Sequence, residues 1–169
     1  MRIKSLTVVA LVAAVLAAGL GGPSASAVTE DEIADALFRK INNKRAKAHD
    51  LNRLEEWSVI VDEATEHSAY QAREGRISHD GFNTRASRIR RAGSGINGVC
   101  ENVGFVRGVS DPKDIVRILY RGWDRSREHH ECMFDKLFQA TWGGVGVTRS
   151  GSTVYATFIE VQDGSPSRP

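Results

Sequence analysis

GVGVTRSGSTVYATFIEV, residues 144–161, is the stretch that decides the fold. Ser150-Gly151-Ser152 has the composition of a turn, and Thr153 to Val161 is typical of a β-strand. Alternate residues of a strand face opposite sides, and both sides are apolar here: Val154, Ala156 and Phe158 on one side, Tyr155, Ile159 and Val161 on the other. Such a strand must be covered on both faces, and helices are the only other material. The pattern therefore predicts an α+β fold in which a small sheet lies between helical layers.

Helical periodicity fills most of the chain before this hairpin. Thr29 and Glu32 form a capping box for a first helix that runs into the basic residues 44–47, which we interpret as a solvated face. Further helices are predicted over four ranges: Val59 to Glu74 with Ser58 as cap and Gly75 as stop, Asn83 to Gly93, Pro112 to Trp123, and Arg127 to Asp135.

The segments between these helices are predicted to be extended or irregular. Leu54 and Trp57 flank a short extended piece, and the glycine-rich stretch from Ser94 to Val99 is predicted to be a connection. Arg85, Arg88 and Arg91 share one face of the 83–93 helix. A plain solvated face is the favoured interpretation of that arginine stripe, and binding of an anionic wall polymer or a phosphate is the alternative.

The first 27 residues have the pattern of an export signal. Arg2 and Lys4 precede an almost unbroken apolar run from Leu6 to Leu20, and the small residues Ala25-Ser26-Ala27 form a cleavage site. A retained membrane helix is the alternative, but the run is shorter than the about 20 residues that a span needs. We expect a signal peptide at 1–27, one domain at 28–163 and a disordered tail at 164–169.

Cleavage would remove Arg2 and Lys4 together with the signal, so the formal net charge would fall from +2 to zero. Nucleic-acid binding thereby loses its main electrostatic support. Cys100 and Cys132 are expected to form a disulfide in an exported chain, closing a loop of about 33 residues worth roughly 3–4 kcal/mol. Two free thiols are one alternative, and a zinc site made with His79 and His129 is another.

Four short motifs stand in a fixed order along the chain: Ser78-His79-Asp80-Gly81-Phe82, Glu101-Asn102-Val103, Gly122-Trp123 followed by Ser126 and His129, and the closing hairpin. Their order and spacing resemble the CAP superfamily of cysteine-rich secretory proteins, antigen 5 and plant pathogenesis-related protein 1. The resemblance is strongest to the single-domain bacterial branch, the SCP-like extracellular proteins. It implies an α–β–α sandwich with a small antiparallel sheet of about three strands.

The resemblance also implies a central cleft with His79, Glu101 and His129 on its floor, and Ser126 is expected among the residues of this cleft. Animal and plant members carry a second glutamate where this chain has Ser126, and Asp124 lies two residues before that position. This departure puts in doubt any activity that needs two carboxylates. His130 is adjacent to His129 on a helix, so it points about 100° away and is expected to lie outside the cleft. His67 is expected to be a packing residue on the 59–74 helix rather than a ligand.

Three uses of this cleft remain open from the sequence. His79, His129 and Glu101 could hold a divalent metal such as zinc, with water as the fourth ligand. Glu101 could instead orient a histidine as a general base in an extracellular hydrolase of peptides or wall polymers. We favour the third use, in which a secreted, monomeric protein binds a small apolar ligand, a peptide or a cell-wall component, without nucleic acid, membrane span or catalysis.

Overall fold

The computed structural model describes residues 28–163. The predicted signal peptide and the predicted disordered tail lie outside these residues. In chain order the elements are α1 (Glu30–Ala48), β1 (Glu55–Glu56), α2 (Ser58–Glu74), α3 (Phe82–Ala92), β2 (Ile96–Arg107), α4 (Pro112–Arg125), α5 (Arg127–Phe134), β3 (Trp142–Ser150) and β4 (Thr153–Asp163). The predicted α+β class is therefore confirmed.

The sheet has four strands in the order β1-β3-β4-β2, one more than the three that the sequence predicted. β4 pairs antiparallel with both β3 and β2. The additional strand is the two-residue β1, which pairs parallel with β3 in the extended piece between Leu54 and Trp57. It forms because Glu55 N donates to Thr141 O and Trp57 N donates to Gly143 O, which fixes the chain against the sheet.

Two apolar clusters cover the two faces of β4, as its alternating pattern predicts. Val154, Ala156 and Phe158 belong to the larger cluster with α1, α4 and α5, while Ile159 and Val161 pack against α2 and α3. α2 lies so close to β3 that a Cβ on Gly146 would collide with the backbone of Ala64 and Thr65. Only glycine therefore fits at this crossing.

Two of the three helix-end residues predicted above have the predicted role. The Thr29–Glu32 capping box is present, and Gly75 ends α2 in the left-handed region at φ 67°. Ser58 is not a cap, because the helix begins at Ser58 itself and Trp57 occupies the cap position without a side-chain bond. The β1 pairing holds the chain extended only as far as Trp57, so the helix begins one residue earlier than predicted.

The predicted glycine-rich connection from Ser94 to Val99 is wrong in its second half, because β2 begins at Ile96. Pairing with β4 outweighs the poor strand propensity of glycine: Val99 is opposite Val161 and Gly98 is opposite Gln162. Gly98 is needed there because a Cβ would collide with the ring of Phe138. Within residues 28–163, no helix is long and apolar enough to cross a membrane.

Candidate functional site

Glu101 is the centre of a polar cluster on β2, the edge strand of the sheet. Its side chain is only 1% exposed and faces the layer formed by α2 and α3. A buried carboxylate is stable only when charged or hydrogen-bonding groups replace the water it has lost. The partners of this carboxylate therefore define the site.

Arg85 is the main partner of Glu101. Its Nε donates to Oε2 at 2.9 Å and its Nη2 to Oε1 at 2.8 Å, which is the two-pronged geometry that guanidinium and carboxylate favour. Nη1 donates to the backbone oxygen of Asp80 at 2.7 Å, which ties the loop before α3 to the same arginine. The charge of Glu101 is thus balanced inside the protein.

The predicted solvated arginine stripe of α3 is wrong for its first member. Arg85 is buried, Arg88 binds Glu63 and also approaches Glu66, and only Arg91 stays exposed. The sequence held one indication of this arrangement: Arg85 precedes Ile89 by one helical turn, and Ile89 is fully buried.

His79 connects this buried pair with solvent. Its Nδ1 lies 2.8 Å from Glu101 Oε1, and the His79 side chain is 52% exposed. A carboxylate oxygen accepts, so Nδ1 carries the proton and donates it to Glu101. The Nε2 atom of a neutral His79 is then an acceptor on the accessible part of the ring, where a ligand or a water molecule can reach it.

His67 supports the same cluster from α2. Its Nε2 donates to the backbone oxygen of Ser78 at 2.7 Å and lies 3.8 Å from Glu101 Oε1. Burial lowers the pKa of His67, so the ring is neutral at pH 7. It is a hydrogen-bonded packing residue that fixes the backbone immediately before His79.

α5 places the backbone of His129 beside Asn102, but no hydrogen bond or ion pair found within residues 28–163 joins the His129 ring to Glu101 or His79. Asn102 Nδ2, one residue after Glu101, donates to the backbone oxygen of His129 at 2.9 Å. The predicted disulfide between Cys100 and Cys132 is present, with a Cα–Cα distance of 5.8 Å, and it links α5 to β2 beside Glu101. Burial is the main cause that lowers the pKa of His129, and repulsion from a protonated His79 would lower it further, so His129 is neutral at pH 7.

Ser126 lies between α4 and α5, where its backbone N–H donates to Trp123 O at 3.2 Å and its oxygen accepts from His130 N–H at 2.8 Å. Asp124 does not replace the missing second glutamate, because it binds Tyr120 and His130 instead. His130 packs edge-on against Phe134 at 4.9 Å. It therefore lies outside the cleft, as its helical position predicts.

The donor set of the cluster does not fit a three-ligand metal centre. Arg85 occupies both oxygens of Glu101, and Oε1 also accepts from His79. Across residues 28–163, no group of three His, Cys, Asp or Glu side chains is arranged to hold a metal ion. The disulfide consumes both cysteines, which excludes the alternative zinc site with His79 and His129.

A cavity of about 500 Å³ lies between α2 and the start of α3, behind the cluster. His67 and Arg85 are among its lining residues, as are Tyr70, Arg73 and Asp80. This cavity borders the partners of Glu101 rather than the accessible ring of His79. The structure therefore has two approaches to Glu101, one through His79 and one through the α2–α3 layer.

Comparison with solved structures shows that the fold of the chain is a known one. An outer surface protein of Borrelia burgdorferi matches with a TM-score of 0.65 and 18% identity, over 80% of this chain and 96% of its own length. A cysteine-rich secretory protein from Staphylococcus aureus matches with a TM-score of 0.60 and 18% identity over 80% of this chain. An extracellular SCP-domain protein from Bacillus anthracis matches with a TM-score of 0.54 and 24% identity over 77% of this chain.

These matches confirm that the chain has the CAP fold that its sequence motifs predict. The chain spans only 40% of the staphylococcal protein and 41% of the Bacillus protein. No protein-family model and no curated protein sequence matches the chain. At these identities the likeness establishes the fold, and the function has to be argued from the site itself.

Proposed function

We propose that the chain is an exported CAP-domain protein that binds a small ligand in a cleft floored by His79, Glu101, Arg85 and His129. One observation carries this proposal: the buried Glu101 carboxylate fixes the half-exposed His79 ring through Nδ1, at 2.8 Å. The ring is thereby held in one orientation with an acceptor nitrogen facing outward. Such a pre-organised acceptor suits a lipid, a wall fragment or a peptide that carries a hydroxyl or amide donor.

Export is supported by two observations. The Cys100–Cys132 disulfide is typical of oxidising compartments. Three similar solved structures are described as an outer surface protein, a secretory protein and an extracellular protein. We expect the exported form to begin at Val28, and N-terminal sequencing of the secreted material would test this start.

Binding is favoured over catalysis by the role of Arg85. In a catalytic dyad the carboxylate stabilises the protonated imidazole with its negative charge. Here Arg85 already pairs with both oxygens of Glu101, so less of that charge is available to His79. Both cysteines form the disulfide, and within residues 28–163 the Ser78 hydroxyl accepts from the N–H of Asp80 but makes no hydrogen bond to a histidine that could activate it.

The second candidate is a histidine-assisted extracellular hydrolase, and the His79–Glu101 contact itself favours it. His79 Nε2 could take a proton from a water molecule that attacks a peptide or a wall polymer, while Glu101 holds the ring. This candidate requires turnover, which simple binding does not. A metal-assisted version is not proposed, because the donor set leaves no three ligands free.

The deciding experiment incubates the purified mature protein with a total lipid extract, a wall-fragment digest and a peptide library, and identifies retained compounds by native mass spectrometry. We expect retention by the wild type and loss in His79→Gln. His130→Gln is the matched control, because His130 is a histidine of the same region that packs outside the cleft. It should retain the ligand as the wild type does.

Equal retention by His79→Gln and the wild type would overturn the proposed cleft. Turnover of any of the three substrate classes that His79→Gln abolishes and His130→Gln preserves would establish the hydrolase instead. Turnover that persists in His79→Gln would come from a contaminating enzyme, and the binding result would then be judged alone.

A further inference from the structure

A second candidate site lies on the opposite helical layer, away from His79. A groove of about 720 Å³ runs between α1 and the first turns of α4. Four of its lining residues are apolar: Ala36, Ala48, Pro112 and Val116. None of the four residues that floor the proposed ligand cleft lines this groove, so the two sites are separate.

Five cations line this groove: Arg39, Lys40, Lys44, Lys47 and Lys113. Arg39 makes an exposed ion pair with Asp35 at 3.4 Å, which is a weak and easily replaced contact. Lys40 lies over the ring of Tyr120 at 5.0 Å. The remaining three lysines have no ion pair among the salt bridges found within residues 28–163.

This concentration of charge is not a property of the whole surface. Residues 28–169 have no formal net charge, because the two excess cations of the full sequence lie in the first 27 residues. The acidic residues beside the groove on α4 are already engaged: Asp111 caps the helix and Asp114 binds Arg117 at 2.8 Å. The groove is thus a local positive strip on a chain whose charges otherwise balance.

The spacing of the lysines selects an elongated partner. Lys40, Lys44 and Lys47 follow each other at i, i+4 and i+7 on α1, so their stems leave one face of the helix over about 10 Å. Acidic residues at the same spacing on another helix would meet this row one to one. A small anion with a single charge would neutralise only one lysine and leave the others unpaired.

The burial of Val116 favours a rod-shaped partner over a flat surface. Val116 is only 7% exposed, so an anionic bilayer could touch the lysines but would gain little contact with this side chain. An amphipathic helix can contact both, with its apolar stripe against the apolar lining residues and its acidic flanks beside the cations. We infer that this groove is a docking site for an acidic amphipathic helix of a partner protein.

The test uses a synthetic 18-residue peptide, cross-linked to stay helical, with a leucine stripe flanked by glutamates. Its partner peptide has the same stripe flanked by lysines. Binding is measured by fluorescence anisotropy at low and at physiological salt. We expect binding of the glutamate peptide only, weakening with salt because the contacts are exposed ion pairs. Amide NMR shifts of the labelled protein should change along α1 and the start of α4.

The double substitution Lys44→Glu with Lys47→Glu should weaken this binding at least about tenfold, because it places like charges opposite the glutamates. Arg90→Glu with Arg91→Glu is the matched control: both residues are exposed on α3, far from the groove. The control should change affinity by less than about twofold. Circular dichroism should show that both variants keep the wild-type melting temperature within a few degrees.

Three results would overturn the inference. The first is no binding of the glutamate peptide at about 1 mM in low salt. The second is an equal loss of affinity in the α3 control, which would indicate a non-specific charge effect. The third is binding to phosphatidylglycerol vesicles that depends on Lys44 and Lys47 while the peptide does not bind, which would make this a membrane-facing surface.

Discussion

Two buried glutamates lie on adjacent strands of the sheet, and they differ in whether a partner of the carboxylate reaches solvent. Glu101 on β2 is opposite Ile159 in the register, and Cys100, its neighbour, is opposite Glu160 on β4. Each carboxylate is 1% exposed and each is paired with a buried arginine from a helix. Each pair joins a carboxyl group to a guanidinium, and the two pairs lie on opposite faces of one sheet.

The difference lies in what else each pair contacts. Arg45 Nη1 binds Glu160 at 3.2 Å, and its remaining donors go to the backbone oxygens of Asn52, Met133 and Ala140. This pair is closed on every side by the protein. Glu101 also holds His79, whose ring is half exposed. A buried ion pair becomes a candidate site only when one of its partners reaches solvent.

The largest expected effect comes from breaking the closed pair. Arg45→Met keeps the side-chain volume but leaves the carboxylate of Glu160 and three backbone oxygens without their donor. Removal of one partner of a buried ion pair typically costs about 3–5 kcal/mol. We expect a loss of this size in the free energy of unfolding, measured by urea denaturation.

A second variant separates the ion pair from simple packing. Arg45→Met combined with Glu160→Leu removes both charges, so it should recover part of the stability lost by Arg45→Met alone. If the single substitution changed stability by less than about 1 kcal/mol, the idea that Arg45 is essential to this closed pair would be wrong.

The pair of Glu101 and Arg85, here called the open pair because His79 connects it to solvent, should cost less stability to break. Glu101→Gln removes the charge that balances Arg85, but Arg85 borders the cavity between α2 and α3 and can regain water there. We expect a loss of about 1–3 kcal/mol together with a loss of ligand retention. An unchanged melting temperature would contradict the burial of Glu101. Glu131→Gln, at an exposed position of α5, is a matched control and should leave both readouts unchanged.

Much of this fold could be predicted from the sequence because its local patterns agree with its packing. The alternation in β4 predicted two covered faces, and the Thr29 capping box and Gly75 predicted the ends of two helices. β1 and the beginning of β2 could not be predicted in the same way. They form because β3 and β4 provide backbone hydrogen-bond partners. Local residue propensities do not reveal such pairing.

Both arginines were misjudged for one reason: a charged residue in a basic run was assigned to solvent. Arg45 was part of the run 44–47, yet it continues the buried row of Ile33, Leu37 and Ile41 at steps of four. The helical period therefore placed its stem towards the core, and only the identity of the acceptor was hidden. That acceptor, Glu160, lies 115 residues away and is brought near by tertiary folding alone.

Acidification should lower the free energy of unfolding through the histidines near Glu101. Burial lowers the pKa of His67 and His129, so below about pH 6.5 the unfolded chain binds more protons than the folded one. Stability should therefore fall as the pH drops from 7 towards 5. Burial raises the pKa of Glu160, although Arg45 opposes this shift. The contribution of Glu160 to the free energy of unfolding should therefore fall as the pH rises.

The two contributions can be separated by comparing slopes. His67→Gln removes one histidine near Glu101 and leaves Glu160 unchanged, so urea denaturation at pH 7.5, 6.5 and 5.5 should show a shallower loss on acidification than in the wild type. The effect should be smaller than that of Glu101→Gln. A slope identical to that of the wild type would mean that His67 titrates alike in the folded and unfolded chain.

The smallest effect on stability and the most specific effect on function should come from His79→Gln. The ring is half exposed, and Glu101 keeps both bonds from Arg85 when His79 is replaced, so no buried charge loses its partner. Surface changes of this kind usually shift stability by less than about 0.5 kcal/mol. Ligand retention should nevertheless be lost, because glutamine has no rigid ring that donates to Glu101 on one side and holds an acceptor on the other. A large loss of stability in His79→Gln would mean that the open pair is structural, like the closed one, and that exposure of a partner does not distinguish them.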